Sequence, residues 1–502
     1  MKDKIDHVVV LMLENRSLDN VLGWLYDDDD PSCQPSQFLG ADTTPTFAGL
    51  QTGPHTNQYD GRAIPATRGT SGDSGHSWVS AQPLRVPGMD PHETYAHVNR
   101  QLFGSPDDPT TTNPPPGTPA AMAGFAEDYD AVYETWEQLD QVMEAYSPEQ
   151  LPILNGLARA YAVSDAWHSS VPTQTNPNRA FSLCGTSLGR VDNNSLDAVE
   201  QFPAPTIFNC LPSGTSWGIY FHDVWQDGQC YTQYTFPRIS DVLDDGEIAS
   251  IDTFYDKARA GTLPRLTWLE PSWGYGLGAF DGSGFHCGSV AGKRFGAQGN
   301  DYHPPTWVGP GEAFVNDVYE ALAADADAWQ RTLLVITFDE HGGTYDHVDP
   351  GWGAVPPDDH RSPDGFGFDR YGVRVPTLLV SPWVQARTVF RSPSATSKYD
   401  HTSLLATLLD WCGVAPASAG LGARVAAAPT FDAVLADRPR SDVPRFVVPD
   451  GYAQQGADCR VPGERQRLPV GVMRALVADS ATPEDLEARM EALIAVPSTR
   501  DP

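Results

Sequence analysis

Positive charge is what this sequence has least of. Its 502 residues carry 33 Lys and Arg against 65 Asp and Glu, a formal net charge of −32. Such a chain repels nucleic-acid phosphates and anionic lipid surfaces, which excludes nucleic acid as a partner. Long apolar runs are missing too. No segment approaches the roughly 20 apolar residues of a membrane helix, so no stable membrane anchor is expected. The run Val8–Leu13 is too short for a signal-peptide core, and no small-residue cleavage site follows it. The expected location is cytoplasmic or leaderless, or secreted where a leader has been removed. Cysteine is sparse: seven residues, none in Cys-x-x-Cys spacing, argue against a cysteine zinc site. The odd count leaves at least one thiol outside any intrachain disulfide, with Cys210 and Cys230 as candidates to pair. No internal repeat is evident.

What is present is a chain long enough for one large or two ordinary domains with ample core. Its 45 Gly, 44 Pro and 13 Trp describe a loop-rich globular protein. Three apolar runs read as buried strands, His7–Leu13, Thr332–Phe338 and Thr377–Val380, and Leu266–Leu269 is a candidate strand. A further strand is expected over Trp217–His222. Ser147-Pro148-Glu149-Gln150 reads as a capping box with Pro at the first helical position, opening a helix to about Arg159. Amphipathic helices are expected around Phe314–Leu322, after His401, and from Thr482 to about Ile494. Strands alternating with such helices predict an α/β sheet domain.

The chemistry collects where strands end, the place where ligands sit in open parallel sheets. His7–Leu13 stops at Glu14-Asn15-Arg16-Ser17, a carboxylate and an amide that bind a cation or, equally, cap the next helix. Thr332–Phe338 stops at Asp339-Glu340-His341-Gly342-Gly343, the densest group of potential ligands in the chain; the plainer alternative is an acidic loop with structural glycines. Between them lies Thr175-Asn176-Pro177-Asn178-Arg179. Thr175 reads as the N-cap of a helix, beside an anion-favouring helix N-terminus. A hydroxyl so placed is a candidate nucleophile, although a cap alone explains a lone Thr-x-Pro-Asn. His76, in a Gly/Ser-rich turn, and His303, in Asn300–Pro305, are candidates to bind phosphate or protonate a leaving alcohol; a structural histidine is the alternative for His76. Carboxylates with an amide make an oxygen-rich set suited to Ca²⁺, Mg²⁺ or Mn²⁺, and to Zn²⁺ where a histidine joins.

Glu14–Ser17, Thr175–Arg179, Asn300–Pro305 with Gly311-Glu312, Asp339–Val348 and Tyr399–Ser403 stand in order from about Asp6 to Val414. Together they resemble the bacterial non-specific phospholipase C and acid phosphatase family of the alkaline phosphatase superfamily. That resemblance implies an alkaline-phosphatase-like fold: a mixed, mostly parallel sheet flanked by helices, with long loop insertions. It places a divalent metal on Glu14, Asn15, Asp339 and Glu340, with Thr175 as nucleophile and hydroxyl ligand. It puts His76 and His303 near the phosphate and gives Asn178 a contact with a phosphoryl oxygen. His341, His347 and His401 fall in matching motifs without an assigned role. The expected organisation is a catalytic domain over residues 1–412 and a tail over 413–502, packing on the core and ending in the Thr482–Ile494 helix. That tail is too short and too helical for the C-terminal β-domains of the larger phospholipases, which favours a phosphatase. The expected reaction is metal-assisted cleavage of a phosphoester through a phospho-threonine intermediate, with a phospholipid or smaller diester as substrate. A phosphomonoesterase is the second reading, and a silent phosphate- or metal-binding protein the third.

Overall fold

The computed structural model describes residues 1–452 except 28–30, 32, 70–83, 85, 89, 105–112, 134–135, 194–200, 223–227, 274–277, 281–284, 291–292 and 296–298. Two sites of expectation, His76 and the Thr482–Ile494 helix, lie outside the described residues.

The expected mixed, mostly parallel sheet is what the chain forms. Its strands in chain order are β1 (His7–Leu13), β2 (Gln37–Leu39), β3 (Ala162–Ser164), β4 (Trp217–Phe221), β5 (Gly246–Ser250), β6 (Leu266–Leu269), β7 (Thr332–Phe338), β8 (Thr377–Val380) and β9 (Thr388–Phe390). In space they run β2-β9-β3-β8-β7-β1-β6-β4-β5. Within it β8 pairs antiparallel to both neighbours, β7 and β3; the other pairings are parallel. The central strands are buried on both faces, which is why β1 and β7 are apolar throughout rather than alternating. Strands 1 and 7 pair over their whole length, from His7 opposite Thr332 to Leu13 opposite Phe338. This register carries the next residue of each, Glu14 and Asp339, to the same edge of the sheet. Asp339 N–H donates to the Leu13 carbonyl at 3.2 Å.

Five helices matter for the site: α1 (Leu18–Leu22), α2 (Pro152–Ala160), α3 (Thr175–Cys184), α4 (Gly309–Leu322) and α5 (His401–Cys412). Ser17 caps α1, its hydroxyl accepting from Asn20 N–H. The α2 helix begins at Pro152, four residues later than expected. Ser147 and Gln150 do bond reciprocally, at 2.9 and 3.4 Å, but they close a turn. The cap comes from a distant side chain. Glu312, in the first turn of α4, accepts from Ile153 N–H at 2.6 Å and Leu154 N–H at 3.1 Å. Motif residues Gly311 and Glu312 are therefore structural: a Cβ on Gly311 would lie 2.4 Å from the Tyr302 ring, and Glu312 also accepts from the Tyr302 hydroxyl at 2.6 Å.

Helix α5 starts on a capping box formed by Asp400 and Ser403, and ends at Gly413 in the left-handed region. The described residues after it stay on the same core, to which Leu421, Val425, Phe431, Val434 and Leu435 belong. Lys4 Nζ holds the carbonyl of Ala436 at 2.9 Å, and the Tyr319 hydroxyl that of Pro444 at 2.8 Å. Cys210 and Cys230 do not pair. Both are free thiols, because Cys210 Sγ faces the Ala419 carbonyl at 3.3 Å while Cys230 is buried against Glu270. No helix of the described residues is long and apolar enough to cross a membrane.

Candidate active site

Three segment ends that lie far apart in sequence meet above the β1–β7 edge. Glu14 and Asn15 follow β1, Asp339 and Glu340 follow β7, and Thr175 opens α3; all five side chains are buried. The contacts are direct. Thr175 Oγ1 donates to Asn15 Oδ1 at 3.4 Å. Asn15 N–H and Glu340 N–H both donate to Asp339 Oδ1, at 3.1 and 2.7 Å. Asn15 holds a left-handed backbone, φ 54°, which turns the chain out of β1 and aims its side chain at the hydroxyl.

Thr175 is not the N-cap. It is the first helical residue, and Gln174 before it caps without a side-chain hydrogen bond. The work of shaping the preceding loop falls to Asn178, whose Nδ2 donates to the carbonyls of Val171, Thr173 and Gln174 at 3.1, 2.8 and 3.1 Å. Its Oδ1 accepts from Val171 N–H at 3.0 Å. These bonds use the amide fully, so Asn178 organises the loop and does not face a phosphoryl oxygen. The helix N-terminus is also less open than expected, since Asn176 N–H is taken by Asn193 Oδ1 at 2.7 Å.

Arg179, one turn into α3, is the residue that sequence reading passed over. Its Nε meets Asp339 Oδ2 at 3.2 Å and its Nη2 meets Glu14 Oε1 at 3.3 Å. Its guanidinium carbon lies 4.7 Å from the centre of the Trp273 ring, a cation–π contact strengthened by burial. Its signal was its place, four residues after Thr175 on one helical face. Glu270 was missed too, although it stands directly after β6 as Glu14 does after β1. It is fully buried and accepts from Thr232 N–H at 2.7 Å.

The histidines separate cleanly. His303 is buried with Nδ1 on the Pro304 carbonyl and with Nε2 unpartnered among the described residues. Burial opposes its charge, but Asp90, Glu14 and Asp301 outweigh burial and hold its pKa above the ordinary value. His401, first residue of α5, bonds the Asp339 main-chain carbonyl through Nε2 at 2.6 Å. His341 bonds Gln101 Oε1 at 2.8 Å, and burial pushes its pKa down to about 3. His347 joins another cluster: its Nδ1 is 2.6 Å from Asp19 Oδ2.

That other cluster tests where a metal fits. Among the described residues, the one set of Asp, Glu, His or Cys side chains with ligand atoms all within 4.8 Å is Asp19, Asp346 and His347. Arg374 already fills it, with Nη2 3.0 Å from Asp19 and Nε 3.0 Å from Asp346. At the Thr175 site Arg179 meets the charge in part among the described residues. Glu14 Oε2, Glu340 Oε1 and Asn15 Nδ2 are buried without a hydrogen-bond partner among the described residues. Burial, with Asp339 next to it, raises Glu14 against the pull of Arg179, and burial and Asp339 raise Glu340 well above the carboxylate range. A hard divalent cation fits this donor set, because it neutralises the carboxylates and takes the open oxygens.

The Phosphoesterase family profile matches residues 5–415. The chain belongs to the Phosphoesterase family. Non-specific phospholipase C6 of Arabidopsis thaliana is 33% identical over 450 residues, 88% of this chain and 74% of its own length. Non-specific phospholipase C1 of the same plant is 33% identical over 88% of this chain and 73% of its own length. The hemolytic phospholipase C of Pseudomonas aeruginosa is more distant, 23% identical over 53% of this chain and 39% of its own length. This Phosphoesterase family member is a phosphoric ester hydrolase. Its site residues fall inside the matched span, which ends just beyond α5.

Proposed function

We propose that this protein is a phosphodiesterase of the phospholipase C type, with Thr175 as the nucleophile. The observation that carries this reading is the buried Thr175 hydroxyl, turned toward Asn15 and left out of helix capping. It stands beside carboxylates with open oxygens. Thr175 Oγ1 attacks the phosphorus, an O–P bond to threonine forms, and the bond to the leaving alcohol breaks. The proton from Oγ1 passes to solvent, and His303 Nε2, its pKa raised above the ordinary value by Asp90, Glu14 and Asp301 against burial, gives a proton to the departing alkoxide. Water then cleaves the threonine ester and releases the phosphorylated headgroup. Glu14, Asn15, Asp339, Glu340 and the Thr175 hydroxyl would hold a divalent metal, which when bound lowers the hydroxyl pKa and polarises the phosphoryl oxygen. Arg179 keeps Glu14 and Asp339 in place around it.

The diester reading is favoured by the Arabidopsis relatives, whose names state phospholipase C and which this chain matches over 88% of its length. A phosphomonoesterase would use the same nucleophile on a different leaving group. Parent and Thr175→Ala proteins, metal-loaded and metal-free, are to be assayed on p-nitrophenyl phosphate, its bis ester and phosphatidylcholine. Turnover of bis ester and lipid that disappears in the variant is the expected outcome. Monoester turnover alone would replace the diester reading with a phosphatase, and a Thr175→Ala protein as active as the parent would remove the threonine mechanism.

A further inference from the structure

Behind the catalytic cluster, at the other side of the α5 N-terminus, a second set of polar groups is left incomplete. A recess there is lined by Tyr371, Ser397, Lys398, Asp400, Thr402 and Arg424, among others. It is small, with about 10 Å³ open to the centre of a water-sized particle, so it takes one water or one small ion. Arg424 is 3% exposed, yet its Nε, Nη1 and Nη2 have no hydrogen-bond partner among the described residues, and neither has Asp400 Oδ2. Its guanidinium carbon lies 5.2 Å from the centre of the Phe181 ring and 5.0 Å from that of Tyr371. The side chain is thus packed against the two rings and cannot swing out to solvent. Its one ion pair joins Nη2 to Asp400 Oδ2 at 2.7 Å. That pair lacks hydrogen-bond geometry, so the donors of Arg424 are left dry at roughly 1–3 kcal/mol each, and an acceptor is called for.

The charge of the surroundings indicates which acceptor. Asp400 directs Oδ1 to the N–H and hydroxyl of Thr402 at the head of α5. Among the described residues Lys398 Nζ donates to main-chain carbonyls, Pro350 at 2.8 Å and Asp349 at 3.5 Å. The Asp349 carboxylate is turned to the N–H groups of Ala120 and Gly351, at 3.1 and 2.8 Å. Two cations, Lys398 and Arg424, and one carboxylate, Asp400, line the recess, and Lys398, Arg374 and Arg424 add to burial in holding nearby His168 well below the ordinary histidine pKa. Arg374 has two carboxylates of its own; Lys398 and Arg424 do not. A twelve-residue helix also points its N-terminus here, which favours negative charge.

We infer that Arg424 and Lys398 form a binding site for one small inorganic anion of chloride size, closed by the N-terminus of α5. It lies next to His401, which holds the Asp339 carbonyl, so its occupant braces the helix on which the catalytic edge rests. The site stands independently of the proposed reaction. The test uses the full chain. Crystals soaked in bromide are expected to show an anomalous peak between Arg424 and Lys398. In solution, replacing gluconate by chloride at constant ionic strength is expected to raise Tm saturably. That rise should shrink to a small fraction in both Arg424→Gln and Lys398→Met; if Arg424→Gln fails to fold, Lys398→Met carries the comparison. A water in place of the bromide peak overturns the inference. So does a peak with no chloride-specific Tm shift, which is binding at crystal concentration only, or a shift that Lys398→Met leaves intact.

Discussion

Two buried clusters follow the same pair of strands and look alike in composition. Glu14 and Asp339 come directly after β1 and β7 and share Arg179. Asp19 and Asp346 come five and seven residues further on and share Arg374. They differ in what is left over. Around Arg374 every carboxylate oxygen has a donor: Asp19 takes Arg374 and both the N–H and Nδ1 of His347. Asp346 takes Arg374, Val348 N–H and Asp19 N–H. Arg374 fills its remaining reach with the carbonyls of Ala48 and Asp165. Around Arg179 two carboxylate oxygens and an amide are without a partner among the described residues. A complete ion network specifies packing; an incomplete one, buried and beside a hydroxyl, is built to receive something. Proximity of acidic groups alone points to Asp19, Asp346 and His347; unpartnered atoms among the described residues point to the cluster beside Thr175.

The sharpest way to break this comparison is at the hydroxyl. Thr175→Ala is expected to lower kcat by about 10³-fold or more with an unchanged melting curve, and Thr175→Ser to keep much of the activity. Loss of stability without loss of turnover would put Thr175 with the structural cluster. The converse holds at Arg374. Arg374→Met leaves Asp19 and Asp346 buried without their cation, and should cost about 3–5 kcal/mol in urea unfolding, the usual penalty for breaking a buried pair. Turnover per folded molecule should hold. Arg179→Met, by contrast, should weaken metal binding measured by calorimetry as well as kcat.

A smaller effect is expected from Gly342→Ala. Gly342 has φ +61°, and a Cβ there would lie 2.2 Å from the Asn15 carbonyl oxygen. The strain should cost about 1–3 kcal/mol and, by moving Asn15, reduce kcat more than it raises KM. The least disruptive test is pH. Because His303 is held above the ordinary histidine value, its acid form persists beyond pH 6.5. Activity should therefore stay high through that pH and fall on the alkaline side as the proton leaves. His303→Gln should lower the rate and flatten that alkaline limb, whereas His347→Gln, in the complete cluster, should leave the limb in place.

Strands were the most legible part of the chain. The bounds of β1, β6, β7 and β8 agree with the sequence expectation, because strands buried on both faces must be apolar without interruption. Helix starts were less so. A capping box at Ser147 pointed to one place, while Glu312, far along the chain, capped another; a local pattern cannot register a distant carboxylate. The same holds for Asn178 and Arg179. Both stood in the right motif, but which one turns to the loop and which to the carboxylates depends on how α3 is rotated against β1 and β7.

By itself the sequence determined the sheet's central strands, the residues that follow them and the hydroxyl at the head of α3, since these depend on hydrophobic periodicity and strand ends. Tertiary structure alone decided which charges were answered. The β1–β7 register set Glu14 beside Asp339, the rotation of α3 brought Arg179 between them, and the loop after β7 gave Asp346 to Arg374. Whether a buried carboxylate is complete or open is a matter of a few ångströms across segments hundreds of residues apart, and no local pattern records it.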